Sequence, residues 1–141
     1  MVNTHLILQH EKRFPYITKE AHKALLCHAR SAYPEECCGV LVRPLEPTDS
    51  PYSLYEPLTN AAPVRLHAFE LSPQDLIPII YRYPASRWEM LLFHSHPNTP
   101  ATLSEADLEG IRFSSSLFSG FLIVSFEHGL ESPQLVMFPL I

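Results

Sequence analysis

Two hydrophobic periods alternate along this chain, and the switches between them divide it into elements. Thr18 can cap a helix, because Ile17, Ala21, Ala24, Leu25, His28 and Ala32 follow the three-and-four spacing of one buried face up to Pro34. Short runs rich in β-branched, Leu and aromatic residues follow at 38–43, 52–58 and 66–71, separated by breaks containing Pro and Asn, and read as strands of one sheet. Ser72-Pro73-Gln74-Asp75 supplies a cap, a proline at the first helical position and an acid in the first turn. A second helix therefore starts there, with Leu76, Ile79, Ile80 and Tyr83 as its apolar stripe, and Pro78 is expected to kink or shorten it. Residues 88–94 (WEMLLFH) are almost continuously apolar, as in a central strand covered on both faces. Ser104 opens a further helix with Leu108 and Ile111 on one side, and strands follow at 120–126 and 134–140 around a His128-Gly129 turn. Strands interleaved with helices predict an α/β fold.

Composition narrows the picture. With 141 residues, 46% hydrophobic and 18% charged, the chain can bury a core as a single domain over residues 1–141. Its 14 prolines predict short elements joined by rigid loops. A formal net charge of -5 lacks the basic footprint of a nucleic-acid binder. The longest apolar runs, 121–126 and 135–141, are far below the roughly 20 residues that span a bilayer, so no membrane partner is expected. The segment MVNTHLILQHEK has neither a basic start nor a small-residue cleavage site, which predicts a cytoplasmic protein. Cys27, Cys37 and Cys38 are odd in number, two of them adjacent, and read as reduced thiols.

Candidate chemistry is concentrated in His94-Ser95-His96-Pro97 and, seven residues after His96, Ser104-Glu105-Ala106-Asp107. On a strand, residues two apart share a face at a Cα spacing of ~6.6 Å, so both imidazoles can converge on one ion while Ser95 faces the other way. Ser104 and Asp107 stand three apart at a helix start and can deliver a hydroxyl and a carboxylate together. Two His and one Asp leave a fourth position open, the pattern of a catalytic rather than a structural zinc. Each half alone is weak, since Ser-x-x-Asp is also close to a helix-capping box. Other zinc hydrolases fit poorly. A metallo-β-lactamase site would want Asp where Asn98 stands, an amidohydrolase barrel needs a far longer chain, and the H-x-E and P-C-x-x-C of zinc deaminases are missing.

His94-Ser95-His96, seven residues, Ser104, two residues and Asp107, with Glu36-Cys37-Cys38-Gly39 upstream, resembles the JAMM metallopeptidase family, also called the MPN+ domain. Asn60, Phe69 and the Ser72-Pro73 helix start echo the family's middle region, so the resemblance covers nearly the whole chain. It implies a mixed β-sheet flanked by helices, an α/β/α sandwich of the MPN, cytidine-deaminase-like type. It also implies one zinc per chain held by His94, His96 and Asp107, with Glu36 as general acid/base and Ser104 as hydrogen-bond donor to the tetrahedral intermediate. Zinc lowers the pKa of its water from 15.7 to about 7 and polarises the scissile carbonyl, giving a nucleophile at neutral pH. Glu35 and Glu36 point to opposite sides of an extended segment, and family spacing selects Glu36. The remaining histidines, His67 among them, read as exposed or core-edge side chains, and Cys38 as a small packing residue.

The resemblance further implies a substrate. Short prokaryotic members act after the terminal Gly-Gly of ubiquitin-like or sulfur-carrier proteins, and the 34 residues that follow Asp107 leave little room for ubiquitin-recognition insertions. The alternatives are a non-catalytic MPN-fold binding or scaffold module, and a zinc hydrolase of another peptide or small amide.

Overall fold

The computed structural model describes residues 17–107 and 115–139. Thr18 caps helix α1 (Lys19–Ala32), its Oγ1 accepting the Ala21 N–H at 3.2 Å, which satisfies one of the donors that a helix start leaves unpaired. Strands β1 (Cys38–Pro44) and β2 (Leu54–Leu58) follow, then helix α2 (Pro73–Arg82), strand β3 (Trp88–His96) and the antiparallel pair β4 (Gly120–Ser125) and β5 (Gln134–Pro139). They form one sheet in the order β2-β1-β3-β4-β5, antiparallel throughout except for the parallel β3–β4 pair. That parallel pair requires a crossover from one end of the sheet to the other between His96 and Gly120.

β3 lies at the centre, and every residue from Met90 to His96 is buried. Met90 and Leu92 face the layer that holds Leu76 and Ile79 of α2 and Tyr83 at its C-cap, whereas Leu91 and Phe93 face Ala21, Leu25, Leu26 and Ala29 of α1. Helices therefore cover both faces of a mixed sheet, the α/β/α arrangement expected from the sequence. No helix among the described residues is long and apolar enough to cross a membrane.

Several expectations need correction. No strand forms at 66–71; a turn at 65–67 leads into an irregular segment there. The Ala68 carbonyl and the Glu70 N–H are met by one side chain instead of a neighbouring strand. Asn60 donates from Nδ2 to the carbonyls of Glu36 and Ala68, both at 2.9 Å, and accepts at Oδ1 from the N–H groups of Ala62 (2.9 Å) and Glu70 (3.1 Å). β2 begins at Leu54 rather than residue 52, and Tyr52 makes only a single bridge, to Ile17. Ala24 is exposed, while Leu26 and Ala29 complete the buried face of α1. α2 runs four residues past Pro78, which forfeits only the bond its missing N–H would make to the Gln74 carbonyl. Leu108 and Ile111, like the whole of 1–16, lie outside the described residues.

Gly39 explains how β1 passes under α1. A methyl group there would collide with the ring of Tyr55, which is fixed by a 2.6 Å hydrogen bond between its hydroxyl and His28 Nδ1 and by an edge-on contact with Phe93 at 5.7 Å. Gly39→Ala is expected to lower stability by about 1–3 kcal/mol, the usual cost of overpacking a core, as read from the urea midpoint at unchanged slope.

Candidate metal centre

The alternation of β3 places His94 and His96 on one face, as the period of two requires, and sends Ser95 to the other. Ser95 is fully buried. Its Oγ accepts the Cys37 N–H at 2.9 Å and its own N–H donates to the Cys37 carbonyl at 3.0 Å, so β3 grips the residue beside Glu36. The third group arrives from the crossover. Ser104 Oγ accepts the Asp107 N–H and the Asp107 carboxylate accepts the Ser104 N–H, each at 3.0 Å, a reciprocal capping box at the helical turn 105–107. The cap and the metal-site reading are thus one arrangement, because the same carboxylate oxygen also faces both imidazoles.

His94 Nε2, His96 Nε2 and Asp107 Oδ2 stand 3.2, 3.2 and 3.0 Å apart, and all three residues are buried. Four ligands at about 2.0–2.1 Å around a tetrahedral zinc stand about 3.3 Å from one another, so the triangle is close to one face of that tetrahedron. Proton bookkeeping supports a cation as well. His96 Nδ1 lies 2.7 Å from the Pro100 carbonyl, an acceptor only, so Nδ1 carries the hydrogen and Nε2 turns a lone pair toward the carboxylate. Two acceptors 3.0 Å apart in a buried site require a positive species between them, a proton or a metal ion. Without a metal, burial resists charging His96, but the Asp107 carboxylate and the Pro100 carbonyl outweigh it and raise its pKa. Burial likewise opposes charge on Asp107, yet the two imidazoles hold its carboxyl well below the usual range. His94, fully enclosed and stacked on Phe69 at 4.4 Å, is kept neutral mainly by burial, the form in which imidazole ligates.

Glu36 and Ser104 line the same cleft as His96, a cavity of about 460 Å³. Glu36 is 7% exposed, and its Oε1 has no hydrogen-bond partner among the described residues. Burial, with the Asp107 charge adding to it against the opposing pull of His96, pushes its pKa up to about 7. Glu35 pairs instead with Arg65 at 3.1 Å. Cys37 and Cys38 are buried thiols pushed up to about 12 by burial, which leaves them as packing residues. The sequence reading missed Leu66 and His67, which also line this cleft. A lone histidine without a ligand-spaced partner gave no signal there.

The family model for prokaryotic homologs of the JAB domain, Prok-JAB, matches residues 18–129. The chain belongs to this family. Among solved structures, this JAB-domain chain is similar to the protein DSY2949 of Desulfitobacterium hafniense, at 28% identity and a TM-score of 0.66 over 86% of this chain and 80% of that one. It also shares its fold with AF2198, a JAB1/MPN domain protein of Archaeoglobus fulgidus, at 19% identity and a TM-score of 0.50 over 84% and 85% of the two chains. Among curated proteins it is 33% identical over 86 residues to the tail tip assembly protein K of Escherichia phage N15. Those residues make up 60% of this chain and only 31% of that protein.

A divalent ion bound at this triad should stabilise the fold by about 4 kcal/mol once free metal exceeds Kd about 1,000-fold. Thermal unfolding with and without zinc measures this, and the shift should vanish in His96→Ala and Asp107→Ala.

Proposed function

We propose that this JAB-domain chain is a zinc-dependent peptidase of the JAMM type that hydrolyses the amide bond after the C-terminal Gly-Gly of a ubiquitin-like or sulfur-carrier protein. The observation that carries the reading is the buried His94, His96 and Asp107 triad with the unpaired carboxylate oxygen of Glu36 in the same cleft. A zinc ion held by that triad supplies Lewis acidity and an acidified water at neutral pH.

The residues of the chain account for the rest. Glu36, poised near 7, takes a proton from water in the cleft and returns it to the departing nitrogen, which leaves poorly as an anion. Ser104 Oγ is the acceptor in the capping box and its hydroxyl hydrogen has no acceptor among the described residues, so it can donate to the oxyanion that develops on the scissile carbonyl. His96 keeps its orientation through Pro100, and the loop that carries Pro100 is pinned where Ser125 Oγ donates to the Thr99 carbonyl at 2.5 Å. Glycines before the scissile bond would enter the cleft without side chains and so bring the backbone close to the site.

The match to a phage tail tip assembly protein favours a second reading, in which the domain binds a peptide segment within a larger assembly and does not cut it. Incubation of the zinc-loaded protein with a Gly-Gly-extended carrier separates the two. Release of the extension is expected, and an intact carrier beside stoichiometric zinc would overturn the hydrolase reading. Glu36→Gln should retain zinc and lose about 10² to 10⁴ in kcat. Activity should rise with pH, because the base must be ionised. The midpoint of that limb is expected at or below about 7, since a nearby cation favours the carboxylate.

A further inference from the structure

The two histidines of the triad are held in unequal ways. His96 Nδ1 meets the Pro100 carbonyl at 2.7 Å, so a hydrogen bond decides which edge of that ring faces Asp107. His94 Nδ1 is enclosed and has no hydrogen-bond partner among the described residues. A metal-ligating histidine almost always donates its second ring N–H to an acceptor, which fixes the tautomer and the orientation of the ring. For His94 the contact that can fix the ring is Phe69, which stacks on the imidazole with centroids 4.4 Å apart and planes 27° apart.

Phe69 in turn is set by Asn60. It is buried, yet it stands in an irregular segment that no strand pairing holds. Asn60 Nδ2 donates to the Ala68 carbonyl at 2.9 Å and Asn60 Oδ1 accepts the Glu70 N–H at 3.1 Å, so one amide grips the peptide groups on both sides of Phe69. Nδ2 also donates to the Glu36 carbonyl at 2.9 Å. The backbone of the proposed base and the ring against His94 are thereby set from a single side chain. Stacking also responds to charge, because an imidazole whose Nε2 is bonded to a cation takes on part of its positive charge and is drawn more strongly to a phenyl face. The pair favours the ligated ring over the free one.

We propose that Phe69 is the positioning residue of His94, in place of the hydrogen bond that orients His96, and that Asn60 sets Phe69 and Glu36 together. The assignment rests on the metal part of the hydrolase reading above and on nothing about the substrate.

Zinc affinity, measured by competition with a chromophoric chelator, tests this without any turnover. Phe69→Leu and Phe69→Met keep an apolar side chain and remove the ring, and each should weaken zinc binding about three- to tenfold, the worth of a stacked aromatic pair. Phe69→Tyr keeps the ring and should stay within about twofold of the native chain. Ile79→Val removes a methyl group from the same core cluster and should leave zinc affinity unchanged, which separates ring orientation from a general loosening of the core. Asn60→Asp keeps the acceptor contacts and loses the donors to Ala68 and Glu36, so it should weaken zinc binding too, and Phe69→Leu added to it should cost less than in the native chain. Native affinity in Phe69→Leu, a loss in Phe69→Tyr as large as in Phe69→Leu, or an equal loss in Ile79→Val overturns the proposal. Fully additive losses overturn the part given to Asn60. A native chain that takes up no zinc overturns the metal reading and this assignment with it, whereas the expected affinities in a protein that cleaves nothing overturn the hydrolase reading alone.

Discussion

Asp107 Oδ2 meets three groups at 3.0–3.2 Å: the two imidazoles of β3 and the Ser104 N–H. The surrounding structure is arranged so that this one carboxylate can reach that point. The imidazoles come from the central strand and the carboxylate from the crossover that the parallel β3–β4 pairing requires. The capping box fixes the carboxylate within its own turn, so its direction is decided locally before it meets the histidines. Pro100, four residues past His96, sets which nitrogen of that ring faces inward. A change in any of these leaves a buried charge or lone pair without its counterpart, which costs more than the bond itself contributed.

The other half of the site is carried by β1. Antiparallel register sets Cys38 opposite His94, and the Ser95–Cys37 backbone and hydroxyl bonds extend the pairing by one residue to the segment that carries Glu36. Glu36 is thus held by strand pairing on one side and by Asn60 on the other. Its raised pKa follows mainly from the resulting burial, with the Asp107 charge adding to it against the pull of His96.

Much of this was legible in the sequence because it depends on short periods. A period of two places His94 and His96 together, and a spacing of three links Ser104 to Asp107, so both halves of the triad are legible in short stretches of sequence. What could not be read depends on one side chain acting at a distance. The run at 66–71 has the composition of a strand, but Asn60 satisfies the Ala68 and Glu70 backbone groups that a strand partner would otherwise take. The same amide folds the segment into the loop that brings Leu66 and His67 to the cleft, so both errors have one cause. Ala24 was misplaced for a simpler reason. The sheet surface under α1 selects Leu26 and Ala29, and an alanine fits either side of a helix about equally well.

The distribution of buried polarity argues most directly that this end of the sheet was shaped by function. Among the described residues, the buried polar or charged side chains are Glu36, His94, Ser95, His96, Asp107 and Ser125. Three form the triad, one is the proposed base, and Ser95 and Ser125 brace the segments that carry Glu36 and Pro100. The remainder of the described core is hydrocarbon, thiol or the Met90 thioether, apart from the partnered Tyr52 and Tyr83 hydroxyls. Each such group is costly to bury, and apolar replacements of similar volume would generally hold the sheet at least as well. Among the described residues Glu36 Oε1 also has no hydrogen-bond partner, so this strand end carries buried polarity that the packing of the sheet does not need.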